Sequence, residues 1–129
     1  MTLSLRSLGM MTSAHWVCPD CSFDDLVVTM IQILNRGDEA VEVSVKTFNQ
    51  MPGSSSALIL SDSMKIPPNS SATYKPSEVI KGGSWLEMTA TGPIYPAGRT
   101  IQEFPSDKFP QNTFPVVVFP LQFYPVADD

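Results

Sequence analysis

The pattern of apolar and polar positions divides the chain into three parts. Residues 1–25 mix Ser, Thr, Met and apolar residues without the period of a helix or of a strand, which is typical of an arm. Residues 26–104 hold short, β-branched or alternating runs separated by turn residues, as strands do. Residues 105–129 alternate aromatic residues with prolines. We therefore predict an N-terminal arm over 1–25, a β-sandwich core over 26–104 and a Pro/aromatic-rich C-terminal tail over 105–129.

The clearest strand of the middle part covers residues 41–48. Its valines alternate with Glu, Ser and Lys, so one face of this strand is expected to be buried and the other solvated. A β-branched run precedes it at 26–34. The turn residues 35–39 between the two runs predict an antiparallel hairpin.

Further short runs, each bounded by turn residues, complete the predicted set of strands. They lie at 57–64, 72–74, 84–90 and 99–104. Prolines and glycines at 91–98 predict a corner between the last two strands. Short strands with turn residues between them predict an all-β fold, an antiparallel β-sandwich of the Ig-like or jelly-roll-like kind.

The C-terminal tail carries residues that we expect to mediate assembly. Its aromatic residues recur between prolines, at Phe109, Phe114, Phe119, Phe123 and Tyr124. Prolines at this spacing exclude a central strand, because each one removes a backbone N–H from the ladder. The tail is nevertheless too apolar to be a solvated linker. We expect it to dock on a second surface, and we favour a sister molecule in a homo-oligomer.

Composition and charge narrow the range of functions. The chain has 129 residues, enough for one domain, and a net charge of −5. Its 8 Lys and Arg residues are scattered singly, so there is no cationic stripe to neutralise phosphates, and we expect no nucleic-acid binding. No apolar run is long enough to cross a bilayer as a helix, and we expect no membrane span.

One cluster has the spacing of metal ligands: His15, Cys18 and Cys21 in the segment HWVCPDC. Two thiolates and an imidazole are zinc ligands, so zinc is the one cofactor that the sequence suggests, although no other Cys or His is present to supply a fourth ligand. Cross-linking of the thiols to each other or to a neighbouring subunit is a second interpretation. The third is two incidental cysteines on the arm, with no cofactor.

The sequence contains no recognisable active site, and we do not expect an enzyme. His15 is the only imidazole base and lies in the predicted arm, where the geometry of Ser–His–Asp catalysis is hard to maintain. The tripeptide Arg36-Gly37-Asp38 matches the Arg-Gly-Asp motif that integrin-type receptors bind. The turn requires Gly and Asp at these positions in any case, so we do not expect receptor binding through them. Asn69, in a glycan-acceptor triplet, is likewise interpreted as a turn residue.

The segments IQILNRGDEAVEVSVKTFN (31–49) and KIPPNSSATY (65–74) resemble small bacterial surface β-sandwich proteins. A cysteine-bearing arm before a sandwich is also similar in layout to endospore appendage subunits. In those subunits the arm cysteines bond to cysteines of neighbouring sandwiches, and Cys18 and Cys21 match the arm position. Because this sandwich has no cysteine of its own, the resemblance implies arm-to-arm bonds instead. It also implies an extracellular, cell-surface or spore-surface location, while the residues themselves leave a cytoplasmic location open.

Three functions follow from these observations. The first, which we favour, is a structural self-assembling subunit of a surface or extracellular filament or shell, docking through its terminal arms, through Cys18 and Cys21 and through the tail aromatics. The second is a ligand- or receptor-binding β-sandwich module that presents the loops at 50–56 and 76–84. The third is a zinc-binding protein that uses His15, Cys18 and Cys21.

Overall fold

The computed structural model describes residues 13–22, 27–49, 56–78, 80, 83–103 and 116–127. These residues form eight strands and no helix. The strands are β1 (Ser13–Ser22), β2 (Val27–Asn35), β3 (Val41–Asn49), β4 (Leu58–Ile66), β5 (Ser70–Tyr74), β6 (Gly83–Glu103), β7 (Val116–Leu121) and β8 (Tyr124–Pro125). The described part of the chain therefore holds no helix with the length and apolarity needed to cross a membrane.

Two antiparallel sheets share the strand β6, which is 21 residues long. Sheet A has the order β4-β3-β6-β1-β8, and sheet B has the order β5-β2-β6-β7. The N-terminal half of β6 pairs with β3 and β1, and its C-terminal half pairs with β2 and β7. The predicted all-β, antiparallel, sandwich-like fold is confirmed.

One hydrophobic core lies between the two sheets. Sheet A contributes Leu86 and Met88 of β6, and sheet B contributes Ile31 and Ile33 of β2. The alternation predicted for residues 41–48 is confirmed, because one face of β3 is buried: Val41, Val43, Val45 and Thr47. Alternate side chains of the strands thus meet in the interior.

The hairpin predicted between residues 26–34 and 41–48 is wrong. β2 and β3 lie in different sheets, and they pair with β6 one after the other, β3 with residues 84–90 and β2 with residues 95–102. The turn residues between them therefore connect the two sheets. Alternation determines which face of a strand is buried, but it does not determine which strand lies beside it.

The corner predicted at 91–98 is also wrong, because β6 continues through this segment. Thr91, Gly92 and Pro93 mark the place where β6 passes from sheet A into sheet B, and they have no ladder partner among the described residues. Pro93 cannot donate a backbone hydrogen bond, and it lies where the ladder needs none. A long strand can therefore contain residues that suggest a turn in the sequence.

Part of the segment predicted as an N-terminal arm is a strand of the sandwich. Its described residues, 13–22, form β1, which lies between β6 and β8 in sheet A. Trp16 is buried, and its Nε1 donates to the backbone carbonyls of Ser13 at 2.8 Å and Ile94 at 3.0 Å. The mixed composition of this strand and its irregular register with β6 hide the period-two pattern, which explains the prediction of an arm.

The described part of the tail pairs with its own chain. β7 pairs with residues 98–103 of β6 at the edge of sheet B, and β8 pairs with β1 at the edge of sheet A. Leu121 and Phe123 pack against the core, and the Val126 N donates to the His15 carbonyl at 2.9 Å. Prolines are compatible with these edge strands. This part of the tail therefore docks within one chain, whereas we expected a sister molecule to receive it.

The aromatic residues predicted to mediate assembly differ in their surroundings. Phe109 and Phe114 lie outside the described residues. Phe123 is partly buried against the core of its own chain. Phe119 in β7 and Tyr124 in β8 are about half exposed, at 50% and 53%.

Candidate functional site

A cleft opens at the end of the sandwich where β6 passes between the sheets. It has a volume of about 870 Å3. Residues 35–41, which connect β2 to β3, form one wall, and residues 91–93 and 95 of β6 form the other. The ladder between β3 and β6 stops at Ala90, and the ladder between β2 and β6 starts at Tyr95. The connecting loop therefore spans a gap in the pairing of β6.

The side chain of Asn35 holds the loop of the cleft in place. It is only 1% exposed, and its Nδ2 donates to the Glu39 carbonyl at 2.8 Å within the loop. The same Nδ2 contacts the carbonyls of Pro67 at 3.1 Å and Ile66 at 3.2 Å, at the end of β4. The Oδ1 accepts a hydrogen bond from the Gly37 N at 2.9 Å. One satisfied, buried amide thus ties the loop to the turn between β4 and β5.

Two further hydrogen bonds fix the walls of the cleft. The Asn69 N, in the turn between β4 and β5, donates to the Gly37 carbonyl at 3.2 Å. Asn69 has a φ of 51°, the left-handed conformation that Asn adopts in turns, in agreement with its interpretation as a turn residue. The Glu42 N donates to the Thr91 Oγ1 at 3.0 Å, which joins the start of β3 to β6.

The cleft presents both signs of charge together with backbone groups. Arg36, Asp38 and Glu39 are exposed on the loop and make no ion pair with the other described residues. Tyr95 lines the opposite wall. Residues 91–93 lie in a β-bulge of the ladder between β6 and β1, have no register partner in the described part of the chain, and line the cleft. This combination suits an extended polypeptide, which supplies backbone groups and charged side chains.

A second candidate site is the pair of cysteines in β1. Cys18 lies opposite Leu86 and Cys21 lies opposite Ser84, so the chain advances three residues in β1 and two residues in β6. Positions three apart on a regular strand face opposite sides, but this β-bulge brings both thiols to the same face. That face is buried, because Cys18 is 1% exposed and Cys21 is 0% exposed. Neither cysteine forms a disulfide.

The two thiols are in hydrogen-bond contact with each other. This hydrogen bond lowers the pKa of Cys18 in spite of burial, and it raises the pKa of Cys21 together with burial. When Cys18 ionises, the proton of the pair is therefore held on Cys21. Cys18 Sγ also lies 3.6 Å from the Asp20 carbonyl, and Ser84 Oγ donates to the Cys21 carbonyl at 2.7 Å. The arrangement can perform thiol–disulfide exchange.

His15 does not join the two cysteines. Side chains alternate along β1, so His15 lies on the face opposite Trp16 and Cys18, and its Nε2 lies 3.2 Å from the Glu87 Oε2. Among the described residues, no group of three or more His, Cys, Asp or Glu side chains could hold a metal ion. The zinc cluster predicted from His15, Cys18 and Cys21 is therefore not assembled, because one of its members is on the other side of the sheet.

A third candidate site is a cluster of polar side chains that links β4 of sheet A to β5 of sheet B. Asp62 of the edge strand β4 accepts a hydrogen bond from the Tyr74 hydroxyl of β5 at 2.7 Å. It also accepts hydrogen bonds from the backbone N of Ser77, at 3.2 Å, and from the Ser77 hydroxyl. Burial raises the pKa of Asp62, but the hydrogen bonds from Ser77 and Tyr74 outweigh it, and the net pKa is lowered. Burial and the neighbouring carboxylate raise the pKa of Tyr74.

Sequence reasoning missed the cleft, although it predicted a turn at residues 35–39. The binding loops predicted at 50–56 and 76–84 lie partly outside the described residues. The turn residues 35–39 predicted the loop of the cleft, but as the tip of a hairpin and not as a connection between two sheets. The sequence did not predict the wall at 91–95, because its Pro and Gly residues suggested a corner.

No protein-family model matches the chain, and no curated protein matches it. Its fold is similar to that in the crystal structure of Thermotoga maritima 1070, with a TM-score of 0.58, covering 88% of this chain and 96% of the other. The sequence identity is 13%, so this likeness concerns the fold alone. The resemblance to endospore appendage subunits stays a prediction. The β-sandwich architecture is thus shared with a solved structure.

Proposed function

We propose that this protein is a binding module that holds an extended peptide segment of a partner protein in the cleft between residues 35–41 and 91–95. The observation that carries this proposal is the gap in the pairing of β6. At residues 91–93 the strand has no ladder partner among the described residues, and the cleft lies beside them. A peptide that adds to this stretch supplies the missing partner.

The shape and lining of the cleft favour a peptide over a compact apolar ligand. Its volume, about 870 Å3, is in the range of about 300–1,000 Å3 that is usual for ligand sites. One wall, however, is an exposed loop that carries Arg36, Asp38 and Glu39. These side chains suit a peptide with both an acidic and a basic residue. Complementary charges of this kind add selectivity more than affinity.

The hydrogen bonds of Asn35 support the proposal in a second way. A loop that must become ordered on binding loses conformational entropy, which weakens the complex. Here the buried amide already joins the loop to the turn after β4. The loop is therefore expected to bind with little rearrangement.

Selection of short random peptides displayed on phage, with the immobilised full-length chain as bait, tests the proposal. Enriched peptides are then synthesised and titrated into the wild type and three variants by calorimetry. Arg36→Glu and Tyr95→Ala alter the two walls of the cleft. Arg99→Glu, which reverses an exposed arginine outside the cleft lining, is the matched control.

We expect Arg36→Glu and Tyr95→Ala each to weaken binding by about tenfold or more, which corresponds to about 1.4 kcal/mol. Arg99→Glu is expected to leave binding unchanged. Circular dichroism spectra that match the wild type exclude loss of the fold as the cause. The proposal is wrong if no peptide is enriched, or if the enriched peptides bind the cleft variants and the control equally well.

A second candidate is the self-assembling structural subunit, and the exposed edge strand β7 favours it. Val118 and Phe119 are 54% and 50% exposed there. At one edge of sheet A, β4 exposes Leu58 and Ile59, but Asp62 lies on the inward face opposite the buried Val45 of β3. An inward-facing charge opposes edge pairing, so self-assembly is expected to use β7.

Sedimentation velocity of the full-length chain over a wide concentration range, with electron microscopy of the same samples, tests this second candidate. Concentration-dependent oligomers that disappear in Val118→Lys but persist in Leu58→Lys support assembly through β7. A monomer at every concentration rejects it.

A further inference from the structure

The bulge in β1 places two buried thiols on the same face of the strand, where they can bond to each other. Cys18 and Cys21 are the only cysteines of the chain, and both are buried in its core. The one extra residue of the bulge brings their side chains to the same face, where they are in hydrogen-bond contact. The arm-to-arm disulfides that the resemblance implies do not suit this arrangement, because a neighbouring subunit has no access to thiols inside the sandwich.

We propose that Cys18 and Cys21 form a reversible intramolecular disulfide, a redox modification site inside the sandwich that uses a low-molecular-weight disulfide as its oxidant. The proposal is independent of peptide binding, since the cysteines do not line the cleft.

The reaction consists of two successive thiol–disulfide exchanges. The Cys18 thiolate attacks one sulfur of the oxidant, for example oxidised glutathione, and one glutathione thiolate leaves. Cys21 then loses its proton and attacks the Cys18 sulfur of the mixed disulfide, which forms the Cys18–Cys21 bond and releases the second glutathione thiolate. Two protons pass from the protein thiols to the two released thiolates, and the two electrons reduce the oxidant.

The order of attack follows from the hydrogen bond between the thiols. Because this bond favours the ionised form of Cys18 and the protonated form of Cys21, Cys18 is the first nucleophile. Cys21 becomes the attacking group only after Cys18 has lost its charge in the mixed disulfide.

Access to the thiols requires local opening of the bulge but not unfolding of the sandwich. Pro19 and Asp20, between the two cysteines, are exposed. Opening separates Cys18 Sγ from the Asp20 carbonyl and Ser84 Oγ from the Cys21 carbonyl, while the rest of β1 can stay paired. Once the disulfide has formed, it closes the bulge until a reductant cleaves it.

The experiment uses the reduced full-length chain incubated with oxidised glutathione. The sample is quenched with acid, unfolded in guanidinium chloride with iodoacetamide at neutral pH, and weighed by intact-mass spectrometry. We expect a monomer that is lighter by two hydrogens and takes up no carbamidomethyl group. Dithiothreitol before alkylation is expected to restore uptake of two groups.

Single variants identify the first nucleophile. Cys21→Ser keeps Cys18 and is expected to stop at the glutathione adduct. Cys18→Ser keeps only Cys21, and its adduct is expected to form more slowly, because burial still opposes ionisation of Cys21, whereas in Cys21→Ser the serine hydroxyl can replace the hydrogen bond to Cys18.

The wild-type chain alone decides the proposal, so a variant that fails to fold does not affect the test. Uptake of two carbamidomethyl groups after oxidation would show that the thiols are inert packing residues. A persistent glutathione adduct on the wild type would show that Cys21 cannot reach Cys18. Covalent dimers on a non-reducing gel would mean bonding between chains. Each of these results overturns the proposal.

Discussion

Replacement of Asn35 by alanine removes the buried amide that connects the loop of the cleft to the turn after β4. The Asn35 Nδ2 carries two hydrogens, which three backbone carbonyls share, and the Oδ1 accepts one hydrogen bond from the Gly37 N. Asn35→Ala therefore loses about three hydrogen bonds. It also leaves their backbone partners at a site that is shielded from water, since Asn35 is buried.

The expected loss of stability follows from this count. A hydrogen bond contributes about 1 kcal/mol to folding, so three bonds give a decrease of about 3 kcal/mol in the free energy of unfolding. Domains of this kind are stable by about 5–15 kcal/mol, so the decrease is a large fraction of the total. Asn49→Ala is the matched control, because the Asn49 Oδ1 accepts one exposed hydrogen bond from the Ala57 N. We expect it to lose less than about 1 kcal/mol.

Urea unfolding followed by tryptophan fluorescence measures both variants. The slope of the free energy against urea should match the wild type, because the surface exposed on unfolding is unchanged. If Asn35→Ala and Asn49→Ala differ by less than about 0.5 kcal/mol, the hydrogen bonds of Asn35 do not have the role assigned to them.

Asn35→Asp adds a test with a defined dependence on pH. It retains the size of the side chain but places a carboxyl among three carbonyls. Burial raises the pKa of such a carboxyl above the unfolded value of about 3.9. Stability of the variant is therefore highest below the unfolded pKa and is lost as the pH rises through the folded pKa. We expect Asn35→Asp, unlike Asn35→Ala, to lose stability relative to the wild type between about pH 4 and pH 7.

Three further predictions concern the polar clusters and the glycines. Asp62 has a lowered pKa in the folded state, so its contribution to stability is present above the unfolded pKa of about 3.9 and is lost as the pH falls through the folded pKa. Tyr74→Phe removes one of its hydrogen bonds, and thermal unfolding against pH should show a smaller loss on the acid side than in the wild type. Gly98→Ala is expected to cost about 1–3 kcal/mol in urea unfolding, because a Cβ would lie 2.9 Å from a backbone carbonyl oxygen of β2. Gly92→Ala, whose Cβ would meet one side-chain methyl at 3.2 Å, should cost clearly less, and equal costs would contradict this packing. Thr47→Val is expected to change the free energy of unfolding by less than about 1 kcal/mol, because the buried Thr47 hydroxyl lies near the Tyr74 hydroxyl but makes no well-aligned hydrogen bond among the described residues. A larger loss of stability in this variant would indicate that the hydroxyl is bonded.

The sequence predicted the faces of the strands better than their partners. In β3 the regular alternation of apolar and polar residues identified the buried side, which is confirmed. The pairing of β3 was wrong, because both β2 and β3 pair with β6 and not with each other. Partner choice depends on how long a strand is and where it changes sheets, and the Pro and Gly residues at 91–98 concealed the length of β6.

The terminal segments were difficult to predict for a different reason. In β1, the buried residues Trp16 and Cys18 are two positions apart, as expected for one face of a strand. The bulge after Cys18 puts Cys21 on the same face although it is three positions further along. A bulge leaves no mark in composition, so the sequence predicted an arm. The zinc cluster was predicted from spacing, which does not show that alternation along β1 puts His15 on the other face of the sheet. In the described part of the tail, residues 116–127, the strands β7 and β8 lie at sheet edges, where prolines are tolerated.

The cleft could not be predicted from residue types, because it is a gap between strands. Its chemistry is visible in part, because the sequence predicts that Arg36, Gly37 and Asp38 lie in a turn. Its position depends on where the pairing of β3 ends and that of β2 begins along β6. That register is a property of the assembled sheets.

Nuclear magnetic resonance tests most directly whether the cleft is the binding surface of this sandwich. A nitrogen-15-labelled full-length chain is titrated with a peptide enriched in the phage selection, and the amide shifts are mapped on the strands. We predict shifts confined to residues 35–41 and 91–95, with β4 and β7 unchanged. Shifts concentrated on the edge strands, with the cleft unaffected, would contradict the account.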